Sequence, residues 1–206
     1  MKVLVACEFS GIVRDAFRAR GHDAWSCDLL PTEREGPHIQ DDVLKHLDDG
    51  WDLMIAHPPC THLAVSGAAW FERKRADGRQ QQGIDLFMQF TATNTPKWCI
   101  ENPVGIMSTL YRPPDQIIQP YYFGDEFQKT TCLWLKGLPP IIHRKADDLF
   151  DKSTHVDRGE MIEFASGKRM AKWYALLRAD STGAHIRSRT FPGIAAAMAE
   201  QWGTVK

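Results

Sequence analysis

The sequence predicts an α/β fold built on a mostly parallel sheet flanked by helices, and three observations carry that prediction. Short apolar runs recur at residues 2–7, 22–27, 53–56 and 98–100, each of strand length. Helical periodicity fills several of the intervals between them, as crossover connections in a parallel sheet require. The runs also end in polar or reactive residues: Asp28, His57-Pro58-Pro59-Cys60 and Glu101-Asn102-Pro103. In open α/β sheets the carboxyl ends of the strands are where ligands bind.

Residues 2–7, rich in Val and Leu, read as the first buried strand. Glu8-Phe9-Ser10-Gly11 turns the chain, and Ile12, Val13, Ala16 and Phe17 then recur at helical spacing among Arg14, Asp15, Arg18 and Arg20. Ser10 suits the N-cap of that helix and Gly21 its stop. Residues 22–27 form a second strand, expected parallel to the first and ending at Asp28. An acid there is where α/β nucleotide binders hold a ribose diol, and a solvated turn aspartate is an equally ordinary reading. Pro31, Gly36 and Pro37 make residues 30–37 a loop. Gln40-Asp41-Asp42-Val43 leads into a short helix around Leu44 and Leu47, closed by Gly50. The strand at 53–56 then meets Pro58 and Pro59, which cannot continue a ladder. Cys60 is left just past the strand's carboxyl end, either a structural thiol or a candidate nucleophile.

Residues 61–83 are polar and are expected to be irregular. Arg73, Lys74, Arg75 and Arg79 cluster there beside Trp70 and Phe71, as a loop whose cations meet phosphates or as a solvated charge run. Ile84, Phe87, Met88 and Ala92 predict a helix over 84–92, ended by Asn94-Thr95-Pro96. The strand at 98–100 is expected to stop at Glu101, placing a carboxyl group on the same rim as Cys60, where it can act as a general acid. Residues 111–123 read as loop, 130–135 as a later strand, and Pro139-Pro140 as the end of the sheet. The whole of 143–189 reads as a reduced connector or small insertion, with a brief helix at 172–177. Pro192 opens an Ala-rich helix over 194–202.

A single domain over 1–206 is expected. The net charge of −1 excludes an overall basic surface and leaves room only for a local basic patch. The five cysteines are widely spaced without a C-x-x-C pair, which argues against a disulfide framework or an all-cysteine zinc site. Reduced thiols in a cytoplasmic protein fit better. Cys7, Cys27, Cys99 and Cys132 fall in strand patterns and are expected in the core. His22, His38, His46, His143, His155 and His185 are expected at the surface. No run has the length of a membrane span, and the first apolar run is too short for a signal peptide.

Phe9-Ser10-Gly11 resembles the F-x-G motif of the C5-specific DNA cytosine methyltransferases. Pro58-Pro59-Cys60 resembles their Pro-Cys nucleophile motif, and Glu101-Asn102-Pro103 their Glu-Asn-Val motif. Order and spacing agree over about the first two thirds of the chain. The chain is also similar to short phage and prophage members of that family. The resemblance implies a Rossmann-like fold that binds S-adenosylmethionine, with no metal. Phe9, Ser10 and Gly11 would shape the loop around the methionine part, with Pro58 beside it. Asp28 would take the ribose hydroxyls, and Asp42 with Val43 the adenine. Cys60 would attack C6 of cytosine, and Glu101 would hold or protonate N3. Asn102, Pro103, Arg73, Arg75 and Lys129 would face the substrate.

The residue types suit that reaction. C5 of cytosine is a poor nucleophile, and a thiolate added at C6 turns the ring into an enamine whose C5 can attack an electrophilic methyl group. An acid at N3 stabilises the charge of the adduct. The thiolate is the reactive form, so the site is expected to favour it. A cytosine in a duplex must first be flipped out.

The chain departs from the family at several points. Thr61 follows Cys60 where Gln is usual, and Gln128-Lys129-Thr130-Thr131 stands where a Q-R-x-R-type motif is expected. The large target-recognition region is missing. Thr190-Phe191-Pro192-Gly193-Ile194 resembles a remnant of the last motif, and Arg187 with Arg189 are further candidate phosphate contacts. The implied partner is DNA, with a homodimer or another protein as a possible source of sequence recognition, or else a free deoxycytidine nucleotide. Two other classes stay open. His57, Cys60 and His62 form an H-x-x-C-x-H set that a metal-dependent hydrolase would use, and a non-catalytic cofactor- or nucleotide-binding protein would keep the same fold.

Overall fold

Side-chain alternation along the central strands divides the core into two layers. In the computed structural model, which describes residues 1–143, 154–165, 167, 169–177, 183, 186 and 188–205, strand β1 (Lys2–Ala6) turns Val3 and Val5 to one face and Leu4 and Ala6 to the other. Strand β4 (Leu53–Ala56) does the same with Leu53 and Ile55 against Met54 and Ala56. Both faces are covered, so these strands read as continuous apolar runs. On one face lie helices α1 (Ile12–Arg18) and α6 (Pro192–Trp202), through Val13, Phe17, Ile194, Met198 and Trp202. On the other lie helix α3 (Arg79–Thr91), through Phe87 and Phe90, and the segment carrying Val43, Leu47 and Trp51. Phe87 meets Trp134 edge to face at 5.1 Å.

The remaining strands are β2 (Asp23–Asp28), β3 (His38–Gln40), β5 (Lys97–Pro103), β6 (Gln116–Ile118) and β7 (Thr131–Lys136), with the one-turn helix α4 (Met107–Leu110) after β5. They make one seven-stranded sheet in the order β3-β2-β1-β4-β5-β7-β6. β1 to β5 run parallel, and β7 is antiparallel to both β5 and β6. This is the expected α/β, Rossmann-like arrangement. The order reverses between β1 and β4, so the crevice at their carboxyl ends is the switch point where a ligand is expected.

Several expectations are corrected. β5 does not stop at Glu101. Its pairing with β7 continues to Pro103↔Thr131, whereas pairing with β4 ends at Ala56↔Ile100. Past that point β5 has no β4 neighbour, so a proline fits there. β3 and β6 are short strands in stretches read as a loop or helix lead-in, and a turn of 3-10 helix follows β6 at Pro120–Phe123. Residues 61–83 are also more regular than expected. They hold a 3-10 segment at Val65–Trp70, helix α2 (Phe71–Ala76) and the first turns of α3. Gly78, left-handed at φ 79°, joins the two helices. The early face of α3 buries polar Gln80, whose amide donates to the His62 carbonyl, and so hides its apolar period.

Within 143–189, strands β8 (Met161–Glu163) and β9 (Arg169–Ala171) pair as a hairpin that α5 (Lys172–Leu176) follows. His185 and Arg187 lie outside the described residues. Cys27, Cys99 and Cys132 are buried as expected, whereas Cys7 is only half-buried and adopts a left-handed backbone at φ 57°. His22, His38, His46, His143 and His155 are half-buried rather than on the surface. His143 and His155 stack on Tyr122, and His46 lies between Asp41 and Asp49. Among the described residues no helix is long and apolar enough to cross a membrane.

Candidate active site

The β4–β5 register builds the site. Ala56 pairs with Ile100, and one residue further His57 Nδ1 donates to Glu101 Oε2 at 3.1 Å. The next residues meet as well: buried Asn102 donates from Nδ2 to the Pro58 carbonyl at 2.7 Å. This side chain thus fixes the Pro-Pro turn that presents Cys60. The Cys60 carbonyl accepts from Leu63 N at 3.0 Å and Ala64 N at 2.9 Å, closing a tight turn. That turn is laced to the chain after β5, with Val65 N donating to Val104 O and Ile106 N to Leu63 O, both at 3.0 Å. A Cβ at Gly105 would lie 2.5 Å from Leu63 O, so glycine is needed for this approach. From α2, buried Lys74 donates to the Thr61 carbonyl at 2.5 Å. The half-buried Cys60 is therefore held by β4, β5 and α2 together.

The β1 side is organised by two buried charged groups. Ser10 is not the N-cap of α1. Gly11 takes that position at φ 70°, and the Glu8 carboxylate accepts from Val13 N at 2.7 Å and Arg14 N at 3.2 Å. Ser10 Oγ donates to Glu8 and accepts from Ile12 N. The fully buried Arg14 guanidinium pairs with Asp15 and donates to Ser26 Oγ, Thr32 Oγ1 and the carbonyls of Arg34 and Glu35. It thereby folds the loop after β2 against α1, and Glu33 N donates to Phe9 O at 2.9 Å. An open cavity of about 330 Å³ results, lined by Ser10, Ile12, Glu33, Arg34 and Arg189. A narrower cavity shares Ser10 and Arg189 with it and reaches inward to Cys7, Glu8, Phe9 and His57.

The electrostatics of the rim are uneven. Burial pushes the Glu101 carboxyl up, but the His57 hydrogen bond and the charges of Lys129 and His57 outweigh it, and the group is held below the ordinary glutamate range. Burial dominates at Glu8, which stays raised despite His57 and the α1 amides. Burial, then the carboxylates of Asp28 and Asp42, raise the Cys7 thiol, so those three groups share one neighbourhood. His62 is lowered by burial and by the cations Lys74 and Arg79.

Phe9 and Ser10 thus line the inner cavity. The Asp28 carboxylate accepts from Leu30 N at 2.9 Å, and Asp42 caps the turn Val43–Lys45 through Leu44 N at 3.0 Å, with Val43 buried. Pro58 is buried and Pro103 closes β5. Lys129 lies 5.9 Å over the Phe191 ring and within electrostatic reach of Glu101. Arg73 and Arg75 stay exposed on α2, and Arg73 acts on Asp77. His57, Cys60 and His62 do not assemble into a metal site, since among the described residues no group of three or more His, Cys, Asp or Glu could hold an ion.

Sequence reasoning missed Glu8, Arg14 and Lys74, and it took His57 only as a metal ligand. His57 was legible in principle, since it stands one residue past β4 as Glu101 stands one past the part of β5 that pairs with β4. Nothing in the sequence distinguished Lys74 from the cations beside it.

No family model matches the chain, and no curated protein matches it. Among solved structures, the fold is similar to a protein assigned as a DNA modification methyltransferase encoded within a prophage of E. coli. The TM-score is 0.45 at 16% identity over 79% of this chain, which spans 58% of the length of that one.

Proposed function

We propose that the chain is an S-adenosylmethionine-dependent methyltransferase acting on C5 of cytosine, with DNA as the substrate. One observation carries the reading: the turn after β4 holds a half-buried thiol and the adjacent parallel strand β5 a largely buried carboxylate, locked in one frame by the Asn102–Pro58 bond beside the β1 crevice. A nucleophile and an acid on neighbouring strand ends at a switch point suit addition to a heteroaromatic ring.

The residues at the crevice fit the cofactor. Gly11, left-handed at the start of α1, packs on the Arg14 guanidinium, where an added Cβ would lie 2.5 Å from Nη2, and so keeps the crevice wall in place. Phe9 offers an apolar wall, and His57 Nε2 is a buried polar atom without a partner on the inner cavity. Asp28 and Asp42 supply carboxylates for ribose and adenine groups, and with Glu8 they favour a cationic ligand. Bound there, S-adenosylmethionine supplies an electrophilic methyl group on a positively charged sulfur.

The chain's own residues do the rest. Cys60, as thiolate, adds to C6. Glu101 faces the N3 edge with Lys129 balancing its charge. Asn102 keeps the two strand ends in register, Pro103 stands beside it on the substrate side, and Arg73 and Arg75 meet phosphates outside the site. The test offers labelled S-adenosylmethionine with duplex DNA, single-stranded DNA and dCMP or dCTP in parallel. Label in DNA, lost in Cys60→Ser, is the expected result. Label in nucleotides alone refutes the DNA assignment. Cofactor binding without transfer to any substrate refutes the enzyme reading in favour of a binding protein.

A further inference from the structure

His57 is bonded on one side and open on the other. Its side chain is 7% exposed. Nδ1 donates to Glu101 Oε2 at 3.1 Å, while Nε2 is buried without a partner on the wall of the inner cavity. The charged and titratable groups around it are Glu101 on β5, Glu8 and Cys7 after β1, Arg189 before α6, and Lys129, which acts on Glu101 ahead of β7. A histidine bridging a carboxylate and a ligand cavity is placed to move a proton as well as to hold a side chain.

We propose that His57 is the positioning residue of Glu101 and the source of the proton that Glu101 delivers to N3 of the base. This rests on the methyltransferase reading above. Glu101 is ionised in its present surroundings, and a carboxylate alone has no proton to donate. The imidazolium closes that gap. As Cys60 Sγ bonds to C6 and the C5–C6 π pair is displaced into the ring, Glu101 takes the Nδ1 proton of His57 and passes it to N3. The thiolate, imidazolium, carboxylate and neutral base become a neutral N3-protonated adduct, a neutral imidazole and a carboxylate, so charge and protons balance. Once C5 carries the methyl group, N3 returns the proton along the same pair.

His57→Asn tests this, because its amide can still donate to Glu101 but cannot release a proton. The expected result is a fall in kcat of about 100-fold, the scale of a lost general acid, with KM for cofactor and DNA within about 3-fold of the wild type. The pH profile of kcat should change shape in the variant, because a proton-carrying group has been removed. His57→Gln, which places its amide one bond further out, should behave alike and serves if the asparagine variant folds poorly. A variant with wild-type kcat and pH profile overturns the proposal while leaving the methyltransferase reading intact. A wild-type protein that transfers no methyl group overturns both.

Discussion

Arg14→Met removes a guanidinium that is wholly inaccessible to solvent and leaves a side chain of similar reach. The cation holds Asp15 at 2.8 Å, Ser26 at 3.2 Å, Thr32 at 3.1 Å and the carbonyls of Arg34 and Glu35 at 3.1 and 3.3 Å. Each such bond to a charged group is worth roughly 1.5–3 kcal/mol, but they do not add. The cost of burying the ion is recovered when it is deleted, and Ser26 and Thr32 keep His38 and Arg34 as partners. Asp15 is one-third exposed and keeps Arg34, so the loss comes from the hydrogen bonds to the Arg34 and Glu35 carbonyls and the emptied site, about 3 kcal/mol. Urea unfolding should show that difference, and heating should lower Tm by about 10 °C for a chain of this size. Cofactor affinity should fall as well, because the loop that Arg14 folds carries Glu33 and Arg34 of the outer cavity. Arg14→Lys should recover less than half the loss, since one ammonium cannot span five partners. A destabilisation below about 1 kcal/mol would refute the idea that this buried charge organises the crevice.

Three further outcomes follow from the packing and the rim. Phe87→Ala should cost about 3–5 kcal/mol in urea unfolding, because a fully buried ring packed on Trp134 leaves a cavity. Gly105→Ala should lower methyl transfer more than stability, because the new methyl must displace the Leu63 carbonyl and with it the Cys60 turn; a variant of full activity would show the lacing to be dispensable. His46 is raised by its bonds to Asp49 and Asp41 despite burial, so its stabilising effect is complete below its unfolded value and fades as pH rises through the folded one. The gap between the wild type and His46→Gln should be wide at about pH 5.5 and closed at about pH 8.5.

What the sequence revealed depended on whether a signal was periodic or spatial. β1, β4 and the start of β5 were visible because doubly covered strands are continuous apolar runs, and the run at 53–56 ahead of Pro58 and Pro59 coincides with β4. β3 and β6 were invisible because three residues carry no period, and α2 because its buried residue is the lysine Lys74. At the site, Cys60 and Glu101 could be proposed from their strand ends. The His57–Glu101 and Asn102–Pro58 bonds are separated by 44 residues in sequence, and only the β4–β5 register reveals them. Glu8 was passed over for the same reason: its value lies in reaching forward to the α1 amides, which follows from the left-handed Gly11 turn.

Two carboxylates facing His57 with opposite shifts give the sharpest check on the electrostatics. Glu101, held low by His57 and Lys129 against its burial, contributes stability that is present above the unfolded glutamate value of about 4.3 and is lost as pH falls through the folded value. Glu8, raised chiefly by burial, has the reverse sign: its contribution is complete below the unfolded value and is lost as pH rises through the folded one. Unfolding of Glu101→Gln and Glu8→Gln across about pH 3 to about pH 7 should therefore give opposite slopes against the wild type. The wild-type advantage over Glu101→Gln should grow with pH, and that over Glu8→Gln should shrink. Environments that push carboxyl groups apart assign them different tasks: in the proposed reaction Glu101 accepts and passes on a proton, whereas Glu8 caps α1 beside the β1 crevice. Slopes of the same sign would mean that His57 does not distinguish the two groups, and the division of labour drawn from the geometry would fail with it.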